Sequence, residues 1–354
     1  MILLLVFFAV HRPDSRRTST AGTGPSLGAP AASSVPALPA PKPGRPNAVA
    51  ASIAVPFVAA RIPVGSAPGF IAVAPDGRYA YTANRDAKSL SVIDTTLNTV
   101  TATIPVTAGP PQFVAFAPDG RRAYLSIYDN DRSVNLVGVL DTASNKILTT
   151  VQTGLSPFAL TVTPDGKYVY VPEHDSGRIS VISTATDAVV TTINVPPNPH
   201  SIKFTNDGRR AYVANHDSNV VSVLATGSNT VLATVPTGMS PHSVAIAPDQ
   251  TTVADVNYNE HTVSLIDTAT NTVRAKIPVG AHPQDVAFAP DGQHAYTANS
   301  ESGTVSVIDP RTKEVSATIP TGKTPTSIAV SPNGQRAYVT NFDSGDVTVL
   351  NIAG

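Results

Sequence analysis

Two histidine-bearing phrases recur in this chain at one fixed interval. Pro199-His200-Ser201 returns as Pro241-His242-Ser243, and Glu173-His174-Asp175 returns as Asn215-His216-Asp217. Neutral imidazole offers a ring nitrogen to zinc, copper or iron, and it changes charge close to neutral pH. His200, His216 and His242 with the carboxylate of Glu173 would place three nitrogens and an oxygen around one ion, with His174 beside them. With two or three of these imidazoles and the carboxylate on zinc or copper, a funnel offers open coordination positions for substrate, and the site would carry metal-dependent lyase, hydrolase or oxidoreductase chemistry. A plainer reading competes with it. Duplication copies residues along with the unit that holds them, and a histidine behind proline serves equally well to bond backbone or to pack.

Other chemistries find less material. The chain has no cysteine, so disulfides, thiolate nucleophiles and cysteine-ligated zinc are excluded. It has no Gly-x-Ser-x-Gly elbow, no phosphate-cradling glycine loop and no dinucleotide fingerprint. Asp129-Asn130-Asp131 has the look of a calcium loop but lacks its glycine and distal glutamate, which leaves a solvated turn. No catalytic residue is assigned. A net charge of −1, with 14% of residues charged, argues against a broad nucleic-acid surface. Arg85, Lys88, Arg132 and Arg178 with Tyr128, Tyr258 and Phe342 supply the material of a local single-strand groove, a second alternative.

The interval itself defines the elements that must carry these side chains. Ile62, Ile104, Val151, Ile193, Val235, Ile277 and Ile319 each open the same phrase, of which Ile277-Pro-Val-Gly280 is the clearest form. Their spacing is 42 residues, except for 47 between Ile104 and Val151. A repeat of that length reads as a propeller or a solenoid. Inside one repeat the apolar residues alternate, as in "HSVAIAP" at 242–248, "TVSLID" at 262–267 and "TVRAKI" at 272–277. Alternation predicts half-buried strands, and Asp-Gly, Asp-Ser-Gly and Asp-Thr-Ala-Thr-Asn supply the turns between them. Four antiparallel strands per repeat make one propeller blade. The last repeat stops after its third strand, while residues 56–61 ("PFVAAR") match a fourth strand ahead of the first repeat. An all-β, seven-bladed β-propeller is predicted, closed by an N-terminal strand that completes the last blade.

Tyr338-Val339-Thr340-Asn341, with the variants Tyr81-Thr-Ala-Asn84, Tyr212-Val-Ala-Asn215 and Tyr296-Thr-Ala-Asn299, resembles the YVTN-repeat β-propellers of YncE-like and surface-layer type. The resemblance runs over 56–354. It implies the seven-bladed fold and a range of roles, from surface proteins and binding modules to subunits of redox enzymes; some similar propellers are lactonases, for which Glu173 with His200 or His242 would be base and orienter. Blade five departs with Ala254 for tyrosine and Gln250 for the turn glycine, and blade three with Pro172-Glu173. In blade two Ile127 replaces the asparagine, and five extra residues enter near Tyr128. The tyrosine is expected to fill the wedge between blades and the asparagine to bond the backbone of a turn.

In such a ring the loops entering each innermost strand, and those joining second and third strands, share one face around a central funnel. His174, His200, His216, His242, His261 and His282 fall there, with Tyr258 and Arg85. The primary expectation is a monomeric binding module taking a protein or small-molecule ligand at that face. Residues 1–17 open with the apolar run "MILLLVFFAV" followed by Arg12, Arg16 and Arg17, a signal- or anchor-like segment. Residues 18–55 are rich in Pro, Ala, Ser and Gly and read as a disordered tether. Together they predict export, with the propeller secreted or held at the membrane, wall or envelope.

Overall fold

A computed structural model describes residues 49–354. These form seven four-stranded antiparallel sheets. Blade one runs Pro68–Val73, Tyr79–Asn84, Ser89–Asp94 and Thr99–Pro105 from axis to rim, and the following blades repeat the order. Residues 1–48, which include the apolar segment and most of the expected tether, lie outside the described residues.

Burial follows the strand's position in the sheet. Second and third strands are buried along most of their length, as in Arg336–Asn341, whereas the rim strand Glu314–Pro320 alternates between exposed and half-buried residues up to the buried Ile319. In every blade but the fifth, where Ala254 replaces it, a tyrosine fills the gap to the next. Tyr81, Tyr124, Tyr212, Tyr296 and Tyr338 are among the largest fully buried side chains. Tyr81 Oη donates to Asn145 of blade two at 2.8 Å, and Tyr170 Oη to Asn229 of blade four at 2.6 Å. The asparagine at the strand end accepts from the entrance loop: Gly238 N to Asn257 at 2.7 Å, Gly322 N to Asn341 at 3.0 Å. Both are packing devices, repeated because every sheet meets its neighbour in the same way.

The ring closes as the repeat arithmetic requires, and earlier in the chain. The strand Ser52–Pro63 pairs antiparallel with Asp346–Ala353, from Ser52 opposite Ala353 to Pro63 opposite Asp346. It begins four residues before the predicted start at Pro56, so 52–55, assigned to the tether, belong to the sheet. The reason is a foothold that periodicity does not reveal. Ser52 N donates to Asp291 Oδ2 at 2.6 Å, its hydroxyl lies 2.7 Å from His294 Nδ1, and Ala50 N reaches Asn333 O at 2.9 Å. Removing residues 1–61 would leave Asp346–Ala353 as an open apolar edge. The shortened chain should run as oligomers or aggregate in size-exclusion chromatography with light scattering; a monomer that melts with the full chain would refute the seal.

Blade five breaks the pattern inside its core. Asp255 stands where the other blades hold Thr82, Leu125, Val171, Val213, Thr297 and Val339. It is wholly buried, and neither carboxylate oxygen has a hydrogen-bond partner. Burial pushes its pKa well above the usual 3.8, against weaker opposing effects from Thr237 and Lys276. A folded-state pKa above the unfolded value means the native state keeps a proton that the unfolded chain releases. Stability therefore falls as pH rises from 3.8 towards the folded value. Asp255→Val should stabilise the protein by about 1–3 kcal/mol at pH 7 and flatten that slope, measured by thermal melts across the acid-to-neutral range.

Candidate binding face

The six histidines of the funnel face belong to three structural types. His200 and His242 follow the proline that opens the innermost strands of blades four and five, and both are buried. Each ties its blade to the next: His200 Nδ1–H donates to His242 O at 2.8 Å, and His242 Nδ1–H to Gln284 O at 2.9 Å. Thr326 makes the same kind of clasp in blade seven, its hydroxyl reaching Gly69 O at 2.7 Å. The plainer reading, backbone bonding after proline, is thus what these two rings do.

His174 and His216 end second strands and are half-buried. Their Nδ1 atoms lie 3.4 Å from Asp175 and 3.2 Å from Asp217. The hydrogen bond from His174, ahead of those from Ser156 and the charge of Arg132, lowers the Asp175 carboxyl to about 2. His261 and His282 form the third type. His282 Nδ1 is 2.9 Å from Glu301, and its backbone N–H donates to His261 Nδ1 at 3.1 Å.

Together the rings make a continuous arc. Phe158 lies 4.1 Å from His200 between ring centres, His200 is 3.6 Å from His242, and His242 is 5.5 Å from Tyr258. Tyr258 stacks on His282 at 4.5 Å and 8°, and His282 meets His261 at 4.9 Å. Burial pushes the pKa of His200 well below 6.5 and that of His242 down to about 3, helped by repulsion among the neighbouring imidazoles. His216 is lowered too, chiefly by burial. These are neutral rings at neutral pH.

The metal set His200, His216, His242 and Glu173 does not assemble. Two imidazoles on one zinc have centres about 5 Å apart, whereas His200 and His242 stack at 3.6 Å. Glu173 takes the asparagine's place in blade three: buried, it accepts from Gly154 N at 2.9 Å, from the Ser176 hydroxyl at 2.7 Å and from Ser180. Its carboxylate is spent on the fold, which removes it as a zinc or copper ligand and as a lactonase base. Among the described residues, no three His, Cys, Asp or Glu side chains are arranged to hold a metal ion. Arg85 is buried and bonds Asn130 in the extra loop of blade two. Tyr258 is buried as well, with its ring in the arc. Clefts of about 430 and 410 Å³ open between blades on the opposite, Asp-Gly face, away from the histidines.

Residues 247–352 match the family model described as YNCE-like beta-propeller. The described residues fold as a seven-bladed β-propeller, and the part from 247 to 352 is similar to the YncE-like family. Hydrazine synthase of Kuenenia stuttgartiensis is a solved structure similar to it, at 22% identity and a TM-score of 0.74, covering 81% of this chain and 96% of that one. At that identity the likeness is one of fold. Solved chains that match number 1696, so architecture alone selects no activity. A search of the curated proteins gives no match.

The repeat reading did not single out Phe70, Phe113 and Phe158 at the base of the funnel. Phe70 and Phe158, on blades one and three, stand 5.5 Å apart, a contact that skips blade two and therefore crosses the axis. The signal was present: the position of Phe70 and Phe113 holds serine or aspartate in blades four to seven. A buried imidazole with a depressed pKa costs stability once the unfolded chain can protonate. Stability should fall as pH drops from 6.5 towards about 3, by up to about 1.4 kcal/mol per unit for each ring. Gln112 and Gln284 occupy the same position in blades two and six, so His200→Gln with His242→Gln should fold and lose most of this acid sensitivity in melting curves.

Proposed function

We propose that the chain is a non-catalytic binding module whose funnel face docks a basic segment of a protein partner. The observation that carries this reading is the pairing of His216 with Asp217 in blade four and of His282 with Glu301 in blade six, with Glu260 next to His261 in the chain between them. Asp217, Glu260 and Glu301 stand beside His216, His261, His282 and Tyr258, and Lys276 is already bound to Glu260 at 3.0 Å. Aromatic faces flanked by carboxylates favour lysine and arginine side chains and repel phosphate. This weighs against the single-strand alternative, since Arg132 is engaged with Asp175 at 3.1 Å. A rigid ring presenting variable loops is suited to recognition. The apolar opening of the chain and its Pro/Ala-rich continuation support an exported, tethered module, which fractionation with sequencing of the mature N-terminus would test.

A fluorescein-labelled peptide of alternating lysine and tyrosine should bind the full chain, more weakly as salt rises. Asp217→Asn with Glu301→Gln should weaken it by about tenfold, a loss on the scale of two partly exposed charge contacts. Tighter binding of a labelled oligothymidine than of the peptide, or indifference to both substitutions, would overturn the reading.

A further inference from the structure

The innermost strands turn alternate side chains to the axis. One ring of positions holds Phe70, Phe113, Ser201, Ser243, Asp285 and Ser327. Two residues further from the funnel the ring is Ala72, Ala115, Ala245, Ala287 and Ala329, with Thr161 in blade three and Lys203 in blade four. All of these except Ala245 are partly exposed, so this lower stretch of the axis is open. Lys203 Nζ lies 5.9 Å from the centre of the Phe113 ring. Blade three stands between those two strands, so the side chain crosses the channel.

The axis carries one carboxylate, and it is already satisfied. Asp285 accepts from Ser243 Oγ at 2.7 Å, Ser327 Oγ at 2.8 Å, Val286 N at 2.9 Å and Ile328 N at 3.0 Å. Among the described residues no ion pair within 4.0 Å includes Lys203. Enclosure lowers its pKa from 10.5, with Asp285 opposing the shift from a distance. The five alanines at the same level show that the fold does not need a lysine there. An unpaired cation under an aromatic layer, in space that small residues leave open, matches a ligand with a negative head and a flat apolar body.

We propose that the axial channel binds a small aromatic carboxylate, its carboxylate on Lys203 and its ring against Phe113, entering from the Asp-Gly face. The site is separate from the funnel arc. Calorimetric titration of the full chain with benzoate should show binding at least about tenfold tighter than with benzamide, the neutral isostere. Lys203→Ala should bring benzoate down to the benzamide level while the melting temperature holds, because five blades already carry alanine there. The Asp217→Asn, Glu301→Gln protein should bind benzoate unchanged. Absence of benzoate binding up to about 10 mM, equal binding by Lys203→Ala, or loss in the funnel variant would each overturn the axial assignment.

Discussion

Every sheet in this molecule is packed between two others, so no blade has a stable arrangement of its own until the ring is complete. Completion depends on one set of backbone hydrogen bonds, between Ser52–Pro63 and Asp346–Ala353, drawn from opposite ends of the described chain. The remaining contacts between blades are short-range and repeated. Tyrosine hydroxyls, the clasps after the strand-opening prolines, and the guanidinium groups of Arg122 and Arg210 on Thr184 O and Thr268 O each tie one blade to the next. A ring built from such links is held by its weakest joint, and the seal is the joint that costs the most chain entropy to bring together.

The repeat acts as an internal control on every unusual residue. Where a position varies across blades without changing the backbone, the fold has already accepted the alternatives. Glutamine stands in for His200 and His242 in blades two and six, alanine for Lys203 in five blades, and valine or threonine for Asp255 in most others. Glu173 shows the opposite case. It looked like a free acid beside a histidine, yet it makes the bonds that asparagine makes elsewhere, to Gly154 N where Asn257 takes Gly238 N.

Architecture was legible in the sequence because strand alternation, turn residues and period all pointed to the same fold. Blade number and the borrowed fourth strand followed from counting alone. Its true start did not, because Ser52 is fixed by Asp291, 239 positions away, and no local pattern announces so distant a partner. The histidines were placed on the correct face for the same topological reason. Their chemistry was not legible: what a ring nitrogen faces is decided by ångström-scale packing, and here carbonyls took His200 and His242 while carboxylates took His174, His216 and His282. The axial residues were visible in the alignment of repeats only as exceptions, and an exception carries meaning once its neighbours around the axis are known.

The closing strands also determine how the molecule would bear a mechanical load. Ser52 lies opposite Ala353, so the chain leaves towards residue 48 and towards Gly354 from the same end of one antiparallel pair. Tension applied between those two exits would peel the pair apart from that end, one hydrogen bond after another, instead of shearing all of them at once. A pull on the chain ahead of Ser52 alone, with the ring anchored through its funnel face, would meet the same zipper at its first tooth.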